Sequence, residues 1–209
     1  AVLPSSAASP PGVVLLLLTI LDPLTQPVLG DIYSELHETK REVYVVTHID
    51  RRAWPDGTAY IRSGFDPQRI AQYQDHGEFR AAYLESVLAY ETLRRELDDL
   101  VEEGGTPDPA RQARELLLRE RMDAFTQLHP LRVGDVFHIP PLLPHALQHG
   151  VRVVEFQTPS YERKIISFAQ KVITQDQWDS REAVARMLLR GPVLVAPRKL
   201  PGPPGVTVE

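Results

Sequence analysis

The sequence contains no cysteine, and only two methionines and two tryptophans occur among its 209 residues. The absence of cysteine excludes disulfide bonds, thiolate zinc sites and cysteine nucleophiles. Any metal must therefore be held by His, Asp, Glu or Gln side chains. An excess of positive charge is also lacking, because 23 Lys and Arg residues stand against 28 Asp and Glu residues. The resulting net charge of −5 argues against a nucleic-acid partner.

Long hydrophobic segments are lacking as well. The one apolar run, Val13 to Leu21, is far shorter than the roughly 20 residues that a membrane span needs. No Lys or Arg precedes it, as a signal peptide would require. We interpret the run as a buried strand, and we expect no membrane partner and a cytoplasmic location. The small, proline-containing residues 1–12 are expected to form a loose N-terminal segment.

Short strands are the main prediction for the rest of the chain. Nineteen prolines and twelve glycines are scattered along it, which is typical of many short elements joined by tight turns. Besides Val13 to Leu21, strands are predicted for six stretches: Ile32 to Leu36, Glu42 to Ile49, Thr58 to Ser63, Arg132 to Ile139, Val151 to Gln157 and Arg163 to Phe168. No strand–helix–strand rhythm of a parallel sheet appears. We therefore predict an all-β fold, an antiparallel barrel or sandwich with a helical insertion on one side.

The helical insertion is predicted at about residues 75–128. Apolar side chains recur there at spacings of three and four, as on one face of an amphipathic helix: Phe79, Tyr83, Val87, Tyr90, Leu93, Leu97 and Leu100. Gly104 and Gly105 end this helix. A second helix is predicted from the N-cap Asp108 to about Gln127.

The C-terminal part is expected to pack on the barrel. A third helix is predicted after Asp179, where Glu182 completes a capping box. We expect residues 13–178 to form the barrel with its insertion. Residues 179–209 would then supply this helix, a short strand and a tail rich in proline and glycine.

Potential metal ligands occur in two separated stretches. Glu35 and His37 are two residues apart, so they share one face of a strand, and Glu42 begins the next strand. His145 follows a strand and a proline-rich turn, which can direct its imidazole into the mouth of a small barrel. Two histidines and a carboxylate, with a second carboxylate available, suffice to bind zinc, iron or manganese and to leave a position open. The residues alone do not choose the metal.

The stretch from Gly134 to His145 resembles the second motif of the cupin superfamily, G-x5-P-x-G-x2-H-x3-N. Gly134, Pro140 and His145 fall at matching places, whereas Leu142 replaces the glycine and His149 the asparagine. The resemblance implies a cupin-type antiparallel β-barrel, or jelly roll.

Within the cupins, the chain is most similar to class I mannose-6-phosphate isomerases. Their Q-x-H and K-x-E patterns resemble Glu35 to His37 and Lys40 to Glu42. Their following E-x-Q-x-x-S resembles the segment from Glu155 to Ser160. Glu35 stands where that family has glutamine, and Ile165 stands where it has an arginine.

This resemblance implies a metal-dependent isomerase of a sugar or sugar phosphate, with zinc the favoured ion and iron or manganese open. The implied metal ligands are Glu35, His37, Glu42 and His145. The implied catalytic residues are Lys40 and Glu155, which would lie nearest the substrate, and Arg163, which would partly replace the missing arginine. Glu155 also stands among apolar neighbours, where an inward carboxylate is costly unless it is paired or near a metal.

Two other functions remain open from the sequence. The first is a non-catalytic cupin that binds a carbohydrate or a structural metal, which the changes at positions 35 and 165 favour. The second is an iron-dependent dioxygenase, because His37, Glu42 and His145 also satisfy a set of two histidines and one carboxylate. Whether the chain forms a homo-oligomer is open too.

Overall fold

The computed structural model describes residues 16–27, 30–166 and 178–190. The N-terminal segment 1–12, and the short strand and tail expected after the third helix, lie outside the described residues. The strands are β1 (Leu17–Leu21), β2 (Glu35–Leu36), β3 (Glu42–Ile49), β4 (Ala59–Phe65), β5 (Thr126–Leu131), β6 (Val136–Ile139), β7 (His145–Leu147), β8 (Val151–Gln157) and β9 (Lys164–Ile165). The helices are α1 (Pro67–Ile70), α2 (His76–Glu102), α3 (Pro109–Asp123) and α4 (Ser180–Arg186).

The strands form two antiparallel sheets. The first has the order β1-β8-β3-β6 and the second the order β5-β4-β7-β2-β9. A hydrophobic core fills the space between them, with side chains such as Tyr44 and Val153 from the first sheet and Ile61 and Leu147 from the second. The prediction of a β-rich antiparallel fold with helices is confirmed. A closed barrel is not found, because no ladder joins the two sheets within the described ranges.

The long helix α2 packs its predicted apolar face against a second core. Its N-cap Asp75 accepts a hydrogen bond from the Glu78 amide, which satisfies one free donor of the first turn. Phe79 and Tyr83 meet the Phe65 ring of β4 at centroid distances of 5.2 and 5.1 Å. The α2 face thus attaches the helices to the second sheet. None of the helices in the described ranges combines the length and the hydropathy that a membrane crossing requires.

Strand β1 differs from the buried strand that its composition predicts. It is an edge strand that pairs only with β8 in the described structure. The Leu18 and Ile20 side chains on its outer face are 60% and 61% exposed, while Leu21 packs against the core. Strong hydrophobicity therefore marks a strand here without implying burial on both faces.

The region after α3 also differs from the prediction. The helix begins as predicted, since the Asp108 carboxylate accepts a hydrogen bond from the Arg111 amide, but it ends at Asp123. β5 follows, pairs with β4, and contains Pro130. Proline lacks an amide donor and is tolerated at a sheet edge, where β5 lies. The predicted strand from Arg132 is shortened to β6, because Asp135 closes a turn by accepting from the Arg132 amide at 2.7 Å.

The predicted capping box of the third helix is absent. α4 begins after Asp179 as expected, but the Asp179 side chain makes no capping bond there. Its carboxylate instead accepts a hydrogen bond from the Ile165 amide at 3.0 Å. Glu182 pairs with Lys164 at 2.9 Å. Both acidic groups are thus used to attach α4 to β9.

Packing between α2 and β4 generates a stability prediction. Replacing the fully buried Phe79 by alanine should lower the free energy of unfolding by about 3–5 kcal/mol, because the cavity left behind cannot be filled. Urea unfolding followed by circular dichroism measures the change. The matched control is Val101→Ala in the same helix, where the side chain is 52% exposed and a change below about 0.5 kcal/mol is expected. Equal effects at both positions would contradict the described packing.

Candidate metal centre

Both sheets contribute to one polar cluster at the same end of the molecule. In the second sheet, Glu35 of β2 lies directly opposite His145 of β7, so the two side chains project from the same face. His37 follows two residues after Glu35 and projects to the same side. Glu42, the first residue of β3, comes from the other sheet. The structure therefore brings all four predicted metal ligands together.

The distances between these groups suit a shared ion. His37 Nε2 lies 3.0 Å from Glu42 Oε1, and His145 Nε2 lies 3.1 Å from Glu42 Oε2. Glu35 Oε1 is 3.9 and 3.8 Å from the same two nitrogens. Around a tetrahedral zinc with ligands at about 2.0–2.2 Å, neighbouring donor atoms are about 3.3 Å apart. The observed separations bracket that value.

The two imidazoles are oriented by hydrogen bonds at their other nitrogens. His37 Nδ1 donates to the Glu162 carbonyl at 2.6 Å, and His145 Nδ1 donates to the Leu143 carbonyl at 3.0 Å. These contacts assign the Nδ1 proton and direct Nε2 of each ring into the cluster. Such a second hydrogen bond is typical of metal-binding histidines, since it fixes both tautomer and ring orientation.

Burial leaves the donor atoms of the cluster without ordinary partners. The side chains of His37, Glu42 and His145 are 2%, 0% and 2% exposed. Among the described residues, both Nε2 atoms and Glu42 Oε1 find no hydrogen bond of acceptable geometry. Native proteins rarely leave buried polar atoms in this state unless an ion or a water is bound. The residues present thus fit a divalent metal, and one ligand atom each from Glu35, His37 and His145 lies within 4.8 Å of the others.

The charges in the cluster stabilise one another. Burial alone would raise the pKa of Glu42, but the contacts with His145 and His37 outweigh it and hold the pKa far below its usual range. Burial opposes the charged form of His145, yet the Glu42 carboxylate raises its pKa overall. The metal-free site therefore favours the imidazolium form of His145 beside the Glu42 carboxylate.

The predicted catalytic residues Lys40 and Glu155 lie beside the cluster. Lys40 Nζ is 2.5 Å from Glu42 Oε1 and 3.7 Å from Glu155 Oε1. Glu155 is in β8, opposite Tyr44 of β3, and faces inward. Burial and the nearby Glu42 carboxylate raise the pKa of Glu155 to about 8, although Lys40 acts in the opposite direction. Glu155 is therefore a buried acid whose proton exchanges near neutral pH.

A cavity of about 270 Å³ opens on this cluster and is lined by Glu35, His37, Lys40 and Glu155. Its size is near the lower end of the range of about 300–1,000 Å³ for ligand pockets. Apolar side chains, including Leu17 and Leu21 of β1, form part of its wall. The cluster can therefore be reached by a small molecule.

Arg163, the third predicted catalytic residue, also lines this cavity. Its Nη1 donates to the Tyr33 hydroxyl at 2.6 Å, and its guanidinium lies 5.3 Å from the Tyr33 ring centroid. Ile165 is fully buried, pairs with Glu35 across β2 and β9, and brings no charge to the site. Arg163 and Lys40 are thus the basic groups that line this cavity.

Sequence reasoning missed two contributors to the site. The Tyr44 hydroxyl donates to Glu42 Oε2 at 3.3 Å, and the spacing of two residues along β3 was a signal that could have found it. Burial and the carboxylates of Glu42, Glu35 and Glu155 raise the pKa of Tyr44 well above its usual value, so it stays a donor. Glu162, to which the sequence analysis assigns no role, accepts a hydrogen bond from His37 through its carbonyl.

Leu142 occupies the position where the cupin motif has glycine, and it has a φ of 64°. This left-handed conformation costs a non-glycine residue about 1–2 kcal/mol. The Leu142 amide donates to the His37 carbonyl at 2.6 Å, which secures the loop that carries His37. A glycine at this position would avoid that cost.

Comparison with known proteins gives matches among solved structures. No protein-family model and no curated protein sequence matches this chain. The mannose 6-phosphate isomerase of Bacillus subtilis superposes with a TM-score of 0.50 at 14% identity, covering 88% of this chain and 49% of that protein. A zinc-bound mannose 6-phosphate isomerase gives 0.55 at 13% identity, with 89% and 58% covered.

A phosphomannose isomerase variant from Salmonella typhimurium gives a TM-score of 0.51 at 12% identity, covering 84% of this chain and 54% of that protein. The chain therefore spans about half the length of the solved structures that it matches. At these identities the likeness shows that the chain shares the fold of these structures.

The environment of Glu155 predicts how stability changes with pH. Its pKa of about 8 in the folded protein lies above the ordinary value of 4.5, so the native state binds more protons between these pH values. Stability of the metal-free protein should fall as pH rises through that window. Glu155→Gln should remove this loss, gaining on the order of 3 kcal/mol over the parent chain between pH 5 and 9.

Urea unfolding of chelator-treated protein at pH 5, 7 and 9 measures this difference. The control is Glu182→Gln on α4, whose carboxylate pairs with Lys164 outside the cluster. Its profile between pH 5 and 9 should match that of the parent chain. A constant difference between Glu155→Gln and the parent at all three pH values would contradict the raised pKa.

Proposed function

We propose that this chain is a metal-dependent isomerase that interconverts an aldose and a ketose, acting on a sugar or sugar phosphate. The observation that carries the proposal is the buried cluster of two imidazoles and two carboxylates that opens on a cavity. The fold shared with mannose 6-phosphate isomerases supports the choice of reaction. Zinc is the favoured ion because a mixed set of imidazole and carboxylate ligands suits it, with iron or manganese as alternatives.

In this proposal Glu35, His37, Glu42 and His145 are the residues that would hold the metal, through carboxylate oxygens and Nε2 atoms. A divalent ion bound there would supply Lewis acidity toward a sugar carbonyl. The chain's own contribution is orientation, because carbonyl contacts fix both imidazoles before anything binds. Exposure of only 13% for Glu35 further limits access of water to the site.

Interconversion of an aldose and a ketose moves a proton between two neighbouring carbon atoms. Lys40 and Glu155 are the groups that the geometry favours for this task, since both face the cavity and lie within 3.7 Å of each other. A positioned acid or base typically contributes about 10²–10⁴-fold to the rate. We assign proton transfer to this pair.

Arg163 is proposed to bind the far end of the substrate. Its guanidinium is held by the Tyr33 hydroxyl at the side of the cavity, so it has a fixed direction before substrate enters. A guanidinium can bind either a phosphate group or sugar hydroxyls through several N–H donors. A sugar and a sugar phosphate both remain candidate substrates on this basis.

A second candidate is a cupin that binds a metal or a carbohydrate without catalysing a reaction. The specific observation in its favour is Ile165, which is fully buried next to Glu35 where the related isomerases, by the sequence resemblance, have an arginine. Loss of one cationic group from the site would reduce the rate without preventing binding.

Metal binding is the first test of the proposal. The parent chain should bind about one equivalent of zinc, and His145→Gln should weaken binding by roughly 100-fold because one of the buried ligands is lost. Competition with a chromophoric chelator measures both affinities. The matched control is His149→Gln, since the His149 imidazole pairs with Asp31 at 2.7 Å outside the cluster and its loss should leave zinc affinity unchanged. Equal losses in both variants would contradict the assigned site.

Turnover is the second test. The zinc-loaded chain should convert mannose 6-phosphate, or another aldose from a panel of free and phosphorylated sugars, into its ketose. Lys40→Met should lower kcat by about 10²–10⁴-fold with little change in zinc content, as expected for a group that transfers a proton. Lys164→Met is the control, because that ammonium pairs with Glu38 and Glu182 away from the cavity. Bound zinc without turnover of any aldose would favour the non-catalytic alternative.

A further inference from the structure

The turn between β2 and β3 carries two groups of the candidate site at its ends, His37 and Lys40. The turn residues 38–40 belong to no strand, so no ladder fixes their backbone. Their position must instead come from other contacts. The segment between β8 and β9 supplies several of these contacts, and most of them involve Glu162.

The Glu162 carboxylate collects three donors of this turn on one oxygen. Its Oε1 accepts hydrogen bonds from the Lys40 amide at 2.7 Å, from the Thr39 hydroxyl at 2.7 Å and from the Thr39 amide. Hydrogen bonds to an ionised acceptor are roughly twice as strong as neutral ones. The side chain therefore secures the backbone from which Lys40 projects toward Glu42.

The backbone of the same residue acts on the metal cluster itself. The Glu162 carbonyl accepts the Nδ1 proton of His37 at 2.6 Å. This contact directs His37 Nε2 toward Glu42, 3.0 Å away. One residue that is more than 120 positions further along the chain thus contacts the turn at positions 37, 39 and 40.

Neighbouring contacts show that this carboxylate is not simply one member of a surface charge network. Lys164, two residues further along the chain, pairs with Glu38 at 3.2 Å and with Glu182 at 2.9 Å. Arg163 donates to the Tyr33 hydroxyl. The three donors bound by Glu162 are all polar groups of the turn, so its role is tied to the geometry of that turn.

We infer that Glu162 is a positioning residue of the metal centre, which sets His37 through its carbonyl and Lys40 through its carboxylate. The inference rests on the proposed function, since it assumes that His37 binds a metal. It assigns no contact between Glu162 and the metal or the substrate. The carboxylate holds the turn against the 158–163 segment, and this keeps the Glu162 carbonyl within reach of His37.

Cobalt(II) binding to the full, chelator-treated chain tests the inference, because visible absorption reports both affinity and ligand geometry. Glu162→Ala should bind Co²⁺ on the order of tenfold more weakly than the parent chain and shift or weaken its visible bands. Glu162→Gln keeps an acceptor oxygen and should recover most of the affinity, to within about threefold of the parent. Glu182→Ala, which removes a carboxylate of the nearby ion pairs, is the matched control and should change neither quantity.

Unchanged affinity and an unchanged spectrum in a folded Glu162→Ala variant would overturn the inference. If circular dichroism shows that this variant does not fold, Thr39→Val tests the inference in its place, because it removes a single hydrogen-bond donor to the Glu162 carboxylate. That variant should bind Co²⁺ about two- to threefold more weakly and shift its visible bands relative to the parent chain. An unchanged spectrum there would also overturn the inference. Absence of Co²⁺ binding by the parent chain would contradict the proposed function itself and, with it, this role of Glu162.

Discussion

The carboxylate of Glu42 is excluded from solvent and lies between two imidazoles and an ammonium group. Removing a single carboxylate from water costs several kcal/mol unless partners replace the lost hydration. His37, His145 and Lys40 are these partners, at 3.0, 3.1 and 2.5 Å. These three groups compensate the negative charge of Glu42 only while all of them point toward its carboxylate. The surrounding loops are therefore constrained by electrostatics as much as by apolar packing.

The two sheets satisfy this constraint through strand register. The pairing of β2 with β7 sets Glu35 opposite His145, and the pairing of β3 with β8 sets Tyr44 opposite Glu155. Side chains alternate between faces along a strand, so a shift of one residue in either pairing would turn these groups away from the cluster. The large apolar core between the sheets makes such a shift costly, because the same slip would expose its side chains.

Local sequence patterns predicted the parts of the structure that local physics determines. β3 and β8 match their predicted bounds, and Asp75 and Asp108 act as N-caps ahead of α2 and α3. The grouping of Glu35, His37, Glu42 and His145 was expected from spacing together with resemblance to a known motif. What the sequence left undetermined depends on contacts between distant segments.

Three particular residues show why those contacts could not be predicted. Asp179 has the residue type and spacing of a helix cap, yet the Ile165 amide competes successfully for its carboxylate. Glu162 is next to charged residues in the sequence, and no local pattern predicts its role, because its partners lie more than 120 positions earlier. No strand was predicted around Pro130, which lacks an amide donor, yet its edge position allows it to remain within β5.

The backbone of Leu142 joins two distant parts of the fold. Its amide reaches the His37 carbonyl, and its own carbonyl accepts from the Leu188 amide at 2.7 Å, just beyond α4. Its side chain meanwhile packs against the core formed around Phe65 and Phe79. The backbone torsion at this residue favours glycine, while packing favours a large aliphatic side chain, so the two requirements oppose each other. The segment after α4 and the loop that carries His37 are consequently coupled through the backbone of a single residue, so a displacement of one is transmitted to the other.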